Sequence, residues 1–263
     1  MLTSSETRAP SLVLTADSPP AIRLEELSIR FRVPRERILS FKEFAIRWIQ
    51  RRLEYVDFWA LRGVDLSVGA AEMWAVVGDN GAGKSTLVKA IAGLLHPTEG
   101  RVIVHGEQAA LVDLAGGFHP ELTGRENVYL YGTLLGMRRR EIDAHFEEIV
   151  EFSELRDFIH APLRTYSTGM VARLGFAVAT ARQVQVLLVD EALAVGDLPF
   201  QARCLQRMAR FREQGTTILF VTHALDIARD LCDRALWLDA GQVREHGPAS
   251  QVIDAYQAEA LLR

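Results

Sequence analysis

The chain has 263 residues, 49% hydrophobic and 24% charged, enough for one large domain with a proper core and room for a subdomain. A formal net charge of -4 and a pI near 6.0 argue against a protein that coats nucleic acid, whose footprint would be basic. No apolar run approaches the ~20 residues that cross a bilayer, and the start lacks the layout of a secretion signal, so a membrane role has to come through a partner. The two cysteines, Cys204 and Cys232, lack metal-ligand spacing and read as buried thiols of a reducing compartment, the cytoplasm.

Residues 1–20, rich in Ser, Thr and Pro and without periodicity, read as a flexible tail, with folded structure from Ala21. "IRLEELSIRF", "LRGVDLSV" and "EMWAVVG" alternate or run apolar as strands. Between the first two lies an insertion, residues 34–57. Within it Phe41, Phe44, Ala45, Trp48, Ile49 and Leu53 fall at helical spacing over 40–53, with Lys42, Arg47, Arg51 and Arg52 elsewhere around the turn. Such a basic amphipathic helix is either a solvated face packed on its own domain or a surface that meets membrane headgroups or a membrane-embedded partner.

"RVIVHGEQAALVDL" reads as two short strands around a His-Gly-Glu turn. A helical subdomain over 115–183 follows. Thr123 with Glu126 forms a capping box that opens residues 124–135, with Gly136 able to end them, and Ile142, Phe146, Ile149 and Val150 mark a second helix. "GMVARLGFAVATA" is a third. Strands return with "VQVLLVDE", "TTILFVT" and the pair "RALWLD" and "QVREHG" joined across Ala240 and Gly241, and a last helix is expected within 248–263. The alternation in the last third implies an α/β fold whose parallel sheet is covered on both faces.

The strongest chemical signal is "GDNGAGKS", Gly78, Asp79, Asn80, Gly81, Ala82, Gly83, Lys84 and Ser85, between the strand "WAVVG" and a helix that starts at Thr86. It has the Walker A pattern in its strand-loop-helix context. The glycines let successive N–H groups turn inward around polyphosphate oxygens at a helix N-terminus. Lys84 supplies a mobile cation and Ser85 a hydroxyl for Mg2+. "VLLVDE" then ends a buried-type strand with two carboxylates: Asp190 can hold the magnesium through water, and Glu191 can polarise an attacking water. Taken alone, such a pair is usually a solvated turn; beside a phosphate loop it reads as catalytic. His223 closes "ILFVTH", and a His at a strand end is often only structural. Here its strand is expected beside the one carrying Asp190, which aims the imidazole at the γ phosphate.

"GDNGAGKS", "YSTGM", "VLLVDE", "LAVGD" and "VTH" stand in an order and spacing that resembles an ABC-type ATPase, a P-loop NTPase, over about residues 22–247. The resemblance implies a fold with a mixed, largely parallel sheet core, an antiparallel β portion and an inserted α-helical subdomain. It also implies that "YSTGM" corresponds to the signature segment that completes the ATP site of the opposite subunit in a head-to-tail homodimer. Ser167, Thr168 and Gly169 would then face a γ phosphate held by the partner's phosphate loop, Asp197 in "LAVGD" would be the loop aspartate at the seam, and Phe31 would stack on adenine, the alternative for Phe31 being a plain core or edge aromatic. Two departures stand out. Tyr166, Thr168 and Met170 replace Leu, Gly and Gln of the signature, and Asp113 and Leu114 stand about where a glutamine usually links the magnesium site to the helical subdomain.

"GFHPELTGRENVYLYG", "YSTGMVARLGFA", "DEALAVGDLPFQ", "LCDRALWLDAGQV" and "VIDAYQ" further look like the ATPase subunits that export O-antigen, capsule and teichoic acid polysaccharides. That likeness implies peripheral attachment at the cytoplasmic face of the inner membrane, membrane-spanning permease partners and a lipid-linked polysaccharide as cargo, with no nucleic acid. Some relatives append a carbohydrate-binding β domain, and here the single last helix is expected instead. An exporter of another lipid-linked substrate, or a soluble ABC ATPase outside transport, is the alternative.

Overall fold

The computed structural model describes residues 19–34, 55–112, 116–190 and 197–261. Strand β1 (Ile22–Pro34) lies between β2 (Tyr55–Val68) and β4 (Glu99–Val104) in an antiparallel three-stranded sheet. A second sheet has six strands in the order β5 (Gln108–Leu111), β6 (Val186–Asp190), β7 (Thr217–Val221), β3 (Met73–Val77), β8 (Arg234–Asp239) and β9 (Gln242–Pro248). All its neighbours are parallel except the β8–β9 hairpin. The α/β reading with an antiparallel portion therefore holds. The two short strands expected around the His-Gly-Glu turn are present, and they part company there: β4 joins the first sheet and β5 the second.

Side chains of the central strands alternate between two cores, as the period of a strand buried on both faces requires. Trp74 and Val76 of β3, Leu219 and Val221 of β7, and Leu236 and Leu238 of β8 pack towards the antiparallel sheet and helix α1 (Lys84–Ile91). Met73, Ala75, Val77, Ile218, Phe220, Ala235 and Trp237 face the other way. That second core holds α2 (Gly124–Leu134), α3 (Arg139–Ser153), α4 (Thr168–Ala179), α5 (Leu198–Glu213), α6 (Leu225–Leu231) and α7 (Ala249–Ala260). Both thiols are buried there; desolvation pushes Cys204 and Cys232 up to about 12, which suits packing rather than chemistry.

The helical subdomain opens as the sequence implies. Thr123 caps α2 by accepting from Glu126 N at 3.2 Å while Glu126 accepts from Thr123 N at 2.8 Å. Asn127, wholly buried, donates to the carbonyls of His119, Leu122 and Thr123 and accepts from His119 N, which fixes the approach loop to the helix. Of the 34–57 insertion, Pro34 and residues 55–57 are strand rather than helix, because the β1–β2 ladder extends to the pair Pro34–Tyr55. The helix expected over 40–53, most of the 1–20 tail, Asp113, Leu114 and Glu191 lie outside the described residues.

Candidate active site

Register alone gathers the chemistry at one edge of the large sheet. In β6 and β7 Asp190 pairs with Val221, and in β7 and β3 Val221 pairs with Val76, so these three residues form one row across the strands. Gly78 follows Val76 by two residues and His223 follows Val221 by two. The phosphate loop, Asp190 and His223 thus emerge together at the carboxyl ends of neighbouring parallel strands, where open α/β sheets bind ligands. The sequence-based expectation that His223 leaves a strand adjoining that of Asp190 is met.

The loop has the shape of a cradle. At Gly78 (φ 146°) a Cβ would lie 2.2 Å from the carbonyl oxygen of Leu238, and at Gly83 (φ 105°) 2.6 Å from that of Ala60. Neither position tolerates a side chain, and both hold the loop against β2 and β8. Lys84 is buried, and its ammonium lies across the loop, donating to the carbonyls of Gly78 (2.8 Å) and Asp79 (3.0 Å). Ser85 and Asn80 are exposed and Thr86 half-buried, at the open N-terminus of α1. Among the described residues no cluster of three His, Cys, Asp or Glu side chains forms a metal site. A hydroxyl at Ser85 and a carboxylate at Asp190 nonetheless suit a hard cation that completes its shell with phosphate and water oxygens, as Mg2+ does.

Phe31 is exposed (37%) and pairs across the strands with Phe58, which is more exposed still (54%). The carbonyl of Ala60, two residues beyond Phe58 on β2, abuts Gly83, so the Phe31–Phe58 pair lies two positions along the ladder from the strand residue that meets the cradle. The sequence reading singled out Phe31 and missed Phe58. Its signal was the antiparallel pairing of β1 with β2.

The signature segment stands elsewhere. Helix α4 packs on α2 and α3 and on β5, three strand positions from β3, which is roughly 14 Å along the sheet. Ser167 is its N-cap, accepting from Met170 N at 3.2 Å, and a hydroxyl that accepts there keeps its own proton to donate. Ser167 and Thr168 are exposed, and a Cβ at Gly169 would meet nothing closer than Ser167 Oγ at 3.8 Å. The helix N-terminus is open to an anion.

Asp197 caps α5 by accepting from Phe200 N at 3.2 Å and pairs with Arg173 Nη2 at 2.9 Å. Arg173 lies on α4 and also reaches Glu154 at 2.6 Å. Helix α4, which opens at Ser167, and Asp197 are therefore bridged within one chain, and Arg173 is the bridging residue that sequence reasoning passed over.

Tyr166, one of the signature's departures, is explained locally. Its hydroxyl donates to the carbonyl of Phe158 at 2.6 Å, and its ring occupies space that exists only because residue 124 is glycine. Burial pushes its pKa up.

Comparison with known proteins decides the family. Residues 61–194, more than half the chain, match the family model described as ABC transporter. The chain belongs to the ABC transporter family. It is an ABC-type ATPase, and its matched segment spans the cradle, the signature helix and Asp190. An O-antigen export system ATP-binding protein of Klebsiella pneumoniae is 48% identical over 198 residues, 75% of this chain and 80% of that protein. A Myxococcus xanthus protein of the same description is 43% identical over 246 residues, 92% of this chain and 56% of its own length. The teichoic acids export ATP-binding protein of Enterococcus faecalis is 42% identical over 76% of this chain and 45% of its own length. Among solved structures, a dimeric ATP-binding cassette in a post-hydrolysis state with ADP and phosphate superposes with a TM-score of 0.69 at 22% identity, covering 87% of this chain and 98% of that one. This last likeness speaks for the fold.

Proposed function

We propose that this ABC ATPase powers export of a lipid-linked polysaccharide, of the O-antigen, capsule or teichoic acid class. In this reading two copies work head to tail beneath membrane-spanning permease chains at the cytoplasmic face of the inner membrane. The names of the relatives support the cargo class, with identities of 42 to 48%. The observation that carries the mechanism is that α4, whose N-terminal Ser167 and Thr168 are exposed, packs on β5, three strands from the β3 that leads into the cradle. An anion site about three strands away from the loop it serves calls for a second copy to bring the two together.

The cradle N–H groups and Lys84 bind and orient the triphosphate, and Phe31 holds the adenine by stacking. To do so Lys84 exchanges its two carbonyl contacts for phosphate oxygens, so its charge is presented without unfolding the loop. Ser85 and Asp190 would hold Mg2+, which when bound neutralises charge on the β and γ phosphates. Glu191 accepts a proton from the attacking water, and His223, leaving the neighbouring strand, orients the γ phosphate. Ser167, with the N–H groups of Thr168 and Gly169 from the second copy, closes the site and excludes bulk water. Asp197 meets the facing copy at the seam. Closure draws the helical subdomains, and the permease attached to them, together; hydrolysis releases them.

The cellular test is replacement of Lys84. Cells that rely on Lys84→Ala protein should accumulate a lipid-linked glycan on the cytoplasmic side, and the identity of that glycan names the cargo. Normal surface polysaccharide with no accumulation would overturn the export reading.

A further inference from the structure

Helix α7 is held on several sides. Ala249, Val252 and Ile253 are buried against the helix-covered face of the six-stranded sheet. On one flank Arg229 of α6 donates to Asp254 at 2.5 Å and Gln257 at 2.9 Å; on the other Arg244 of β9 donates to Glu259 at 2.8 Å. Between these clamps the ring of Tyr256 meets Trp237 edge-on, with centroids 5.4 Å apart. Trp237 pairs in register with Val77, the residue just before the cradle. From this seat the Tyr256 hydroxyl donates to Asp79 Oδ1 at 2.9 Å, across 177 positions of sequence.

We propose that Tyr256 is a positioning residue for the phosphate loop, acting through the carboxylate of Asp79. The loop otherwise offers a polyanion the Lys84 ammonium and the N-terminus of α1, and its glycines allow backbone N–H groups to turn towards it. A carboxylate in the second position of such a loop repels the same anion and competes for the same donors. The phenol gives it a fixed neutral partner on the α7 face of the sheet, opposite the face that carries α1. Because α7 is clamped by Arg229 and Arg244, the tether anchors the loop to a rigid element. A hydrogen bond to a charged acceptor is worth more than a neutral one, though exposure reduces the gain.

The inference rests on reading the loop as the ATP site, and the experiment separates the two. Tyr256→Phe keeps the ring on Trp237 and removes only the donor. With purified full-length chain, equilibrium titration should show ATP binding weakened about fivefold, while kcat stays within about twofold. In an Asp79→Ala background the same substitution should have no further effect on the Kd, as expected when one residue acts through the other. In nucleotide-free protein, amide exchange over residues 79–83 should speed up by a similar factor, about fivefold, in Tyr256→Phe. An unchanged Kd in a protein whose wild type binds ATP would overturn the tether. So would the same weakening in both backgrounds. Wild-type protein that failed to bind ATP would sink the functional reading instead, and the exchange comparison would then decide the tether alone.

Discussion

Arg173 on the signature helix and Asp197 at the cap of α5 form an ion pair of 2.9 Å, and the same guanidinium holds Glu154 at 2.6 Å. One side chain thus couples the helix whose start is proposed to grip the partner's γ phosphate to the aspartate proposed for the seam. Arg173 is mostly buried while its partners are half-exposed, so the pair contributes about 1 kcal/mol to stability at most. Its larger value is geometric. Arg173→Gln should leave the ATP Kd of the isolated chain unchanged and lower turnover by about tenfold or more, with Arg173→Lys in between because an ammonium cannot replace the fork. Parallel binding and ATPase measurements check this. Weakened binding with normal turnover would contradict it.

Gly124 and Tyr166 form a second coupled pair. A Cβ at residue 124 would stand 2.2 Å from the Tyr166 hydroxyl and 3.1 Å from the carbonyl of Ile159. Gly124→Ala should therefore cost about 2 kcal/mol as an overpacked site. Tyr166→Phe, which loses the bond to Phe158, should cost about 1 kcal/mol. The double variant should be less destabilised than the sum, since removing the oxygen frees space for the methyl. Denaturant midpoints of the three variants measure the coupling, and strict additivity would refute it.

Glu191 is proposed as the group that polarises water. Glu191→Gln should retain ATP binding, lower turnover on the order of a hundredfold, and accumulate an ATP-dependent dimer visible by size-exclusion chromatography. A monomer in ATP that hydrolyses at the wild-type rate would remove Glu191 from the mechanism.

The cradle and the strand carrying Asp190 were legible in the sequence because both are local: glycines that require particular backbone angles, and a short apolar run ending in carboxylates. The capping box at Thr123 and Glu126 was legible for the same reason, its two hydrogen bonds spanning three residues. The pairing of β4 with β1 was not, since strand register joins residues distant in sequence. Phe58, Arg173 and Tyr256 escaped for that reason too. Each acquires its meaning from a neighbour that only the tertiary fold supplies: Phe31 across a ladder, Asp197 across two helices, and Asp79 across 177 positions.

One chain's cradle is proposed to be completed by another chain's α4. Ser167→Arg should block the partner's site by crowding its γ phosphate, and Lys84→Ala should empty its own, so each variant alone should be inactive. Mixed in equal amounts, they form some dimers in which one of the two sites combines a normal cradle with a normal signature segment. ATPase activity should then return, up to about a quarter of wild type if subunits pair at random and each intact site works independently. A mixture that exchanges subunits yet stays at the background of the separate variants would contradict the shared site.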